Sequence, residues 1–232
     1  MIQRIRSYTK PSPSRDARKL YIVCEGNDTE PVYFEFFKGL TSNLSIIPIR
    51  SENGKTDPEK LKEWAELNLI QASAFDKPDY QQDDLVWFVI DTDQWQEHGK
   101  IKILRDFCKN RNNEEITQHS EHPVYKMWNV AQSNPQFELW HYYHIYDEPP
   151  TTGDVEQYAS FKEYVSNKIH GGFKPAIHAA YMRDAITHSE KNFCVDIEGN
   201  PMLYSTEVHL LCKQILPFIK RDLEKLRNKL SV

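Results

Sequence analysis

Residues 85–93 read LVWFVIDTD and contain the clearest strand pattern in the chain. The six apolar side chains from Leu85 to Ile90 are typical of a strand that is buried on both faces, as strands of parallel sheets are. The run stops at Asp91-Thr92-Asp93, whose polar side chains do not continue it. We therefore predict an α/β sheet that carries carboxylates where this strand ends.

The same order of strand, turn and helix occurs around residues 20–24, which read LYIVC and end at Glu25-Gly26. Apolar side chains then recur at helical spacing, at Tyr33, Phe36, Phe37 and Leu40. Two more strands are predicted at residues 44–49 and 127–131. Alternation of short apolar strands with amphipathic helices predicts an α/β domain with a mainly parallel sheet of about four strands, flanked by helices.

The sequence divides into three parts that we expect to form one domain overall. Residues 1–18 are basic and contain two prolines, which is typical of a flexible arm. Residues 19–148 carry the α/β pattern, and residues 149–232 are mainly helical and are expected to pack on that core as a cover. We also expect Ser133-Asn134-Pro135-Gln136 to open a helix, with Asn134 as its cap, and the C-terminal helices to divide at Pro217.

The net charge of −5 is distributed unevenly along the 232 residues. Residues 1–20 carry +5 and residues 213–232 carry +4, which leaves −14 on the segment between them. An acidic body repels a polyanion unless cations intervene. The distribution fits either an ordinary solvated surface or a metal-dependent enzyme that acts on phosphates.

Several protein classes lack support in the sequence. The chain has no apolar run of about 18 residues and no secretory leader pattern, so we expect a cytoplasmic protein without membrane contact. No Walker loop, GxGxxG or GxSxG pattern is present. The four cysteines lack CxxC spacing and are expected to be reduced and mostly buried: Cys24, Cys108, Cys194 and Cys212.

Three carboxylates follow predicted strands directly, namely Glu25, Asp91 and Asp93. In open α/β sheets the carboxyl ends of the strands form the ligand-binding edge, so these side chains can converge there. Mg²⁺ prefers carboxylate oxygens together with water and substrate phosphate. Each motif alone is also a common turn or helix cap, and the residues by themselves leave both interpretations open.

A second group of polar residues lies in residues 133–144, SNPQFELWHYYH. On a helix, Glu138, His141 and His144 follow one another at one-turn spacing and can share a face. The histidines are also compatible with an inert, hydrogen-bonded role in the core. Glu138 is flanked by apolar residues, and a carboxylate buried there is costly unless it is paired or bound to a metal.

The order of these motifs along the chain resembles the RloB-like family. The matching segments, found between residues 1 and 212, are VCEG at 23–26, TEP at 29–31, YF at 33–34, TDPEKL at 56–61, DTD at 91–93, SNP at 133–135, FELW at 137–140, His144, NP at 200–201 and ST at 205–206. The basic, proline-containing arm before the first strand is similar too.

The resemblance implies a Toprim-like fold and a nuclease that uses Mg²⁺ or Mn²⁺ in bacterial defence against phage, beside an AAA-type ATPase encoded nearby. It places the metal on Glu25, Asp91 and Asp93 and adds Glu138 and His144 to the catalytic residues. His141 stands where the family usually has an aliphatic residue, so no role is carried over to it. Thr92 also departs from the family's usual arginine.

Alternatives stay open on function. The nucleic acid substrate is DNA or RNA, with an RNase acting on tRNA as the main rival to a DNase. A non-catalytic regulatory subunit of a defence complex is a rival from another class. The sequence leaves the oligomeric state open.

Overall fold

The computed structural model is built around a sheet that has five strands in the described part of the chain. The structure describes residues 12–14, 17–50, 57–71, 84–92, 95, 98–118 and 127–230. The strands are β1 (Arg18–Cys24), β2 (Leu44–Ile49), β3 (Leu85–Asp91), β4 (Trp128–Asn134) and β5 (Ser205–Thr206). Their order is β2-β1-β3-β4-β5, in which β1 to β4 pair in parallel and the short β5 is antiparallel to β4.

Helices cover both faces of this sheet. They are α1 (Thr29–Glu35), α2 (Pro58–Ala65), α3 (Lys100–Gln118), α4 (Glu138–Tyr143), α5 (Thr152–Val155), α6 (Phe161–Lys168), α7 (Pro175–His178), α8 (Met182–Lys191) and α9 (Val208–Leu230). A π-helical turn follows α2, and a 3₁₀ turn joins α7 to α8. The predicted α/β class is confirmed, and it is consistent with a Toprim-like fold.

Strand β3 is the central element, since it pairs with β1 on one side and with β4 on the other. Its alternate side chains enter two different cores. Leu85, Trp87 and Val89 pack with α1, α4, α8 and α9, while Val86, Phe88 and Ile90 pack with α2 and α3. Both faces of β3 are therefore buried away from solvent, which explains the continuous apolar sequence of this strand.

Among the described residues, none of the helices combines the length and apolarity needed to cross a membrane. The four cysteines are free thiols, of which Cys194 is exposed and the other three are buried.

Most of the predicted basic arm lies outside the described residues. At its end, the Ser14 N–H donates to the Ser42 carbonyl at 2.7 Å and Ala17 is buried, so the chain is already packed before β1 begins.

The prediction that Ser133-Asn134-Pro135-Gln136 opens a helix was wrong. Ser133 and Asn134 belong to β4 and pair with Thr206 and Ser205 of β5. The Asn134 amide donates to the Pro201 carbonyl at 2.9 Å and caps no helix. Helix α4 begins only at Glu138. The local pattern of Ser133 and Asn134 favours a helix cap, but pairing with β5, which is distant in sequence, places them in a strand instead.

The division expected at Pro217 was also wrong, because α9 runs through this residue without a break. Proline removes one backbone N–H and crowds the preceding turn, which disfavours a helix interior. Ile215 and Ile219 on either side are completely buried against the first core. Their burial offsets the cost of the proline.

Helix α1 ends at Glu35, earlier than the apolar spacing to Leu40 predicted.

An ion pair fastens α3 to the residues before α9. The Arg105 guanidinium donates to Glu207 Oε2 at 2.7 Å and to the Gln132 side-chain carbonyl at 2.8 Å. Glu207 also accepts the backbone N–H of Gln132 at 3.0 Å, and the Gln132 amide donates to the Thr92 hydroxyl at 2.9 Å. Both Gln132 and Glu207 are buried. This network ends beside Asp91, the last residue of β3.

We predict that Glu207→Ala lowers the free energy of unfolding by about 2–4 kcal/mol, because it leaves a charged donor and a buried N–H without their acceptor. Glu190→Ala is the matched control, since Glu190 pairs with Lys213 at the surface and should cost less than about 1 kcal/mol. Urea denaturation of both variants measures the difference. Equal losses would show that the Arg105 network does not hold the two elements together.

Candidate functional site

Two acidic residues meet at the carboxyl edge of the sheet, where β1 and β3 end side by side. Glu25 directly follows β1, and its backbone N–H donates to the Val89 carbonyl of β3 at 2.9 Å. The Glu25 carboxylate then accepts the backbone N–H of Asp91 at 2.9 Å. Parallel pairing of the two strands thus brings the predicted residues into direct contact.

Trp95 fixes the other carboxylate oxygen of Glu25. Its indole N–H donates to Glu25 Oε1 at 2.6 Å. The Lys100 ammonium lies 5.1 Å from the Trp95 ring centre and forms an ion pair with Asp57 at 3.0 Å. Only 7% of Glu25 is exposed. Because each carboxylate oxygen accepts a hydrogen bond, the buried carboxylate is satisfied and is held in one orientation.

Asp91 joins the end of β3 to the start of α4. Its Oδ1 accepts the backbone N–H of Phe137 at 2.8 Å. Phe137 precedes α4 and offers no side-chain cap, so a carboxylate from another strand satisfies this amide. The Thr92 backbone N–H donates to the carbonyls of Ser133 and Pro135 at 2.9 and 3.1 Å. The order of the motifs in sequence gave no indication of this contact.

Glu30 is a further carboxylate at the site that the sequence interpretation did not single out. Its Oε1 accepts the Gly26 N–H at 3.0 Å, and only 4% of the residue is exposed. Burial raises the pKa of the Glu30 carboxyl above its usual value, and the nearby Glu138 charge raises it further, although hydrogen bonds from backbone N–H groups act in the opposite direction. A Cβ on residue 26 would overlap the nearer Glu30 carboxylate oxygen, so any larger residue there would displace this side chain from its present position. The spacing Glu25-Gly26-x-x-x-Glu30 is the sequence pattern that could have revealed it.

Glu138 completes the group from the first turn of α4. The Thr29 hydroxyl lies 3.5 Å from Glu138 Oε1, and the Lys162 ammonium of α6 lies 3.3 Å from the same oxygen. The Glu138 side chain is 12% exposed, whereas that of Lys162 is 67% exposed. Lys162 therefore brings a cation from solvent to an otherwise acidic region.

These acidic side chains line one pocket of about 270 Å³. Its walls include Glu25, Gly26, Asp28, Glu30, Asp91, Glu138 and Lys162. The carboxylates come from the ends of β1 and β3 and the starts of α1 and α4. Asp93 lies outside the described residues. In the part of the chain that the structure describes, no three acidic, histidine or cysteine side chains form a ready-made metal-binding group.

His144 lies apart from this pocket, in the core between α1 and α4. Its Nδ1 donates to the Trp140 carbonyl at 2.8 Å, which leaves Nε2 to accept the Tyr33 hydroxyl at 3.2 Å. Burial lowers the pKa of His144 to about 3. The structure thus places a neutral, doubly hydrogen-bonded ring where the sequence predicted a catalytic histidine, and it does not bring this ring to the carboxylates.

We predict that His144 makes the folded chain sensitive to acid. Because its pKa falls from about 6.5 in the unfolded chain to about 3, its stabilising contribution is complete above pH 6.5 and disappears as the pH falls toward 3. Between pH 7 and 4, wild type should lose about 3 kcal/mol more unfolding free energy than His144→Gln. Urea denaturation at each pH measures this. The exposed His170→Gln should follow wild type, and parallel profiles for His144→Gln would contradict the assignment.

Comparison with known proteins adds one match. A family model described as RloB-like protein matches residues 20–215. No curated protein and no solved structure matches the chain significantly. The matched segment covers most of the chain and contains the four buried or partly buried carboxylates of the pocket. The chain therefore belongs to the RloB-like family.

Proposed function

We propose that this chain hydrolyses phosphodiester bonds of nucleic acid with Mg²⁺ or Mn²⁺. One observation carries the proposal: four carboxylates from three distant segments of the chain, Glu25 and Glu30, Asp91, and Glu138, line a single pocket at the carboxyl edge of the sheet. This edge is the usual ligand-binding position in open α/β sheets. Their shared location supports the metal interpretation over that of separate turns and caps.

The donor set fits a hard divalent cation. All four side chains offer oxygen, which is the ligand that Mg²⁺ and Mn²⁺ prefer. The pocket contains neither cysteine nor histidine, the ligands typical of zinc sites, among its described lining residues. Crowded carboxylates repel one another, and a bound cation would relieve that repulsion.

Glu25 and Asp91 would hold the ion, since they lie in contact at the strand ends. Asp93 is a further ligand predicted from sequence. When bound, the ion would polarise a phosphoryl oxygen and stabilise the charge that develops during hydrolysis. Glu138 would bind the ion or orient the substrate, while Lys162 would contact a substrate phosphate from the rim of the pocket.

The hydrogen bonds to Glu25 give it a defined part in this arrangement. Donors from Asp91 and Trp95 keep both carboxylate oxygens in place before substrate arrives. Such preorganisation avoids reorganisation during the reaction. Within the proposal, His144 stabilises α4 and thereby Glu138, because its contacts with Trp140 and Tyr33 leave it in the core.

The proposal extends to antiphage defence under the control of a partner ATPase. Its support is the family membership together with the resemblance described above. Whether the substrate is DNA or RNA, tRNA included, is a question for the cleavage assay.

We predict that Asp91→Asn lowers Mg²⁺-dependent cleavage of nucleic acid at least about a hundred-fold. Asparagine keeps an oxygen that can accept the Phe137 N–H, so the fold should survive while a charged ligand is lost. Incubation of the purified protein with plasmid DNA, single-stranded DNA and tRNA measures the activity. Asp147→Asn, at an exposed position, is the matched control. Cleavage unchanged in Asp91→Asn would refute the assignment.

Metal binding has a readout that is independent of cleavage. At about one hundred times its Kd, Mn²⁺ should raise the free energy of unfolding by about 2.7 kcal/mol and the Tm by about 5–10 °C. Thermal denaturation with and without Mn²⁺ measures the shift, which Asp91→Asn should largely abolish. The exposed Glu156→Gln should retain it. A wild-type chain that gains nothing from Mn²⁺ or Mg²⁺ would favour a non-catalytic subunit.

A further inference from the structure

A second cavity of about 320 Å³ lies next to the carboxylate pocket, between α1, α4 and α6. Its walls are mainly apolar and include Val32, Val165, Ile169, Phe173 and Pro175. The volume is at the lower end of the range for small-molecule sites, which suits one flat heterocycle. Thr29, Glu138 and Lys162 line both cavities, so a single ligand can occupy the two together.

The wall of this second cavity contains a pair of stacked rings. The rings of His141 and Phe173 are parallel within 3° and lie 3.8 Å apart between centroids. Gly171 and Gly172, with φ of 81° and 73°, form the turn that returns Phe173 onto α4. Positive φ at both positions requires glycine for an unstrained backbone. The turn is closed by the Gly172 N–H, which donates to the Ile169 carbonyl at 2.8 Å.

His141 carries a hydrogen-bonding group that lacks a partner. Only 7% of the residue is exposed, and within the described part of the chain its Nε2 has no hydrogen-bond partner. Burial holds the pKa of His141 well below its usual range, so the ring is neutral at pH 7. A buried polar atom without a partner is costly and requires an explanation. His141 is itself a lining residue of the second cavity, so a ligand there would lie next to this ring.

We propose that this apolar cavity binds an unpaired nucleobase of the nucleic acid strand whose phosphate lies at the carboxylate pocket, with Phe173 and His141 as the aromatic wall. This inference rests on the proposed function. An acidic site attracts a polyanion weakly, and base stacking supplies binding energy that does not depend on charge. Lys162, between the two cavities, lies where it can contact the connecting phosphate.

The consequence is a preference for unpaired substrate. A base that enters the cavity has to leave the stack of a duplex, which costs least in single strands, loops and damaged sites. The substrate class is therefore single-stranded nucleic acid, or a loop within a folded one, rather than intact duplex.

The test uses the full chain and a short single-stranded oligonucleotide with one 2-aminopurine, in Ca²⁺ to suppress cleavage. Binding should quench the 2-aminopurine fluorescence through stacking. Phe173→Leu should weaken binding roughly ten- to a hundred-fold and reduce the quenching, with the salt dependence unchanged. Phe173→Tyr should restore both. Ser166→Trp, at an exposed position of the cavity wall, should block binding without disturbing the core.

Two controls separate stacking from other effects. Phe218→Leu removes a partly buried ring that lies outside both cavities, so it should bind as wild type does. Lys162→Met should weaken binding and lower the slope of log affinity against log salt by about 0.7, as expected when one phosphate contact is lost. Thermal denaturation verifies that each variant is folded.

The outcomes distinguish this inference from the proposed function. Wild-type affinity and quenching in both Phe173→Leu and Ser166→Trp, or tighter binding of the matching duplex, would overturn the base site. If cleavage nevertheless depends on Asp91, the nuclease proposal stands alone. If Phe173 controls binding but no nucleic acid is cleaved, the base site stands and the nuclease proposal fails.

Discussion

The crowding of carboxylates at one edge of the sheet is the constraint on which the rest of the site depends. Each of the four carboxylates has a hydrogen-bond or ion-pair donor. Glu25 accepts from the Asp91 N–H and the Trp95 indole, and Glu30 accepts from the Gly26 N–H. Asp91 accepts from the Phe137 N–H, and Glu138 lies beside the Lys162 ammonium. Such charge-assisted contacts make it feasible to keep acidic side chains close together and largely buried.

Three of these donors are backbone N–H groups, one at the end of β3 and two in turns, and the surrounding packing holds those turns in place. Strand β4 extends to Asn134 because it pairs with β5, and the chain then turns so that the Phe137 amide faces Asp91. His144 supports the same region from within the core through Tyr33 and the Trp140 carbonyl. Hydrogen bonds hold the carboxylates on the side of the sheet, whereas on the side of α6 the mostly exposed Lys162 reaches in from solvent. Under the proposed function, this asymmetry would suit an extended substrate that lies across the two adjoining cavities.

Much of the architecture was predictable, because burial on both faces of a parallel sheet requires continuous apolar strands. The runs ending at Cys24 and Ile90 identify β1 and β3, and their parallel pairing explains why Glu25 and Asp91 meet. Local patterns failed where a distant partner decided the outcome. Asn134 has the chemistry of a helix cap but pairs with Ser205, and Pro217 lies within a helix because its neighbours are buried. Glu30 escaped notice because a glutamate in a first helical turn is ordinary until its burial is known.

The sequence by itself determined the α/β class, the family, and the position of Glu25 and Asp91 at strand ends, since these follow from apolar periodicity and the order of motifs. Only the tertiary structure decided that Glu30 lines the same pocket as Glu138, which the resemblance had already indicated, that His144 stays in the core, and that Phe173 stacks on His141 beside the acidic pocket. The physical reason is the separation in sequence of the residues that interact. Periodicity reports which side chains avoid water, whereas hydrogen bonds between residues tens of positions apart depend on how helices and turns pack, and no local pattern encodes that geometry.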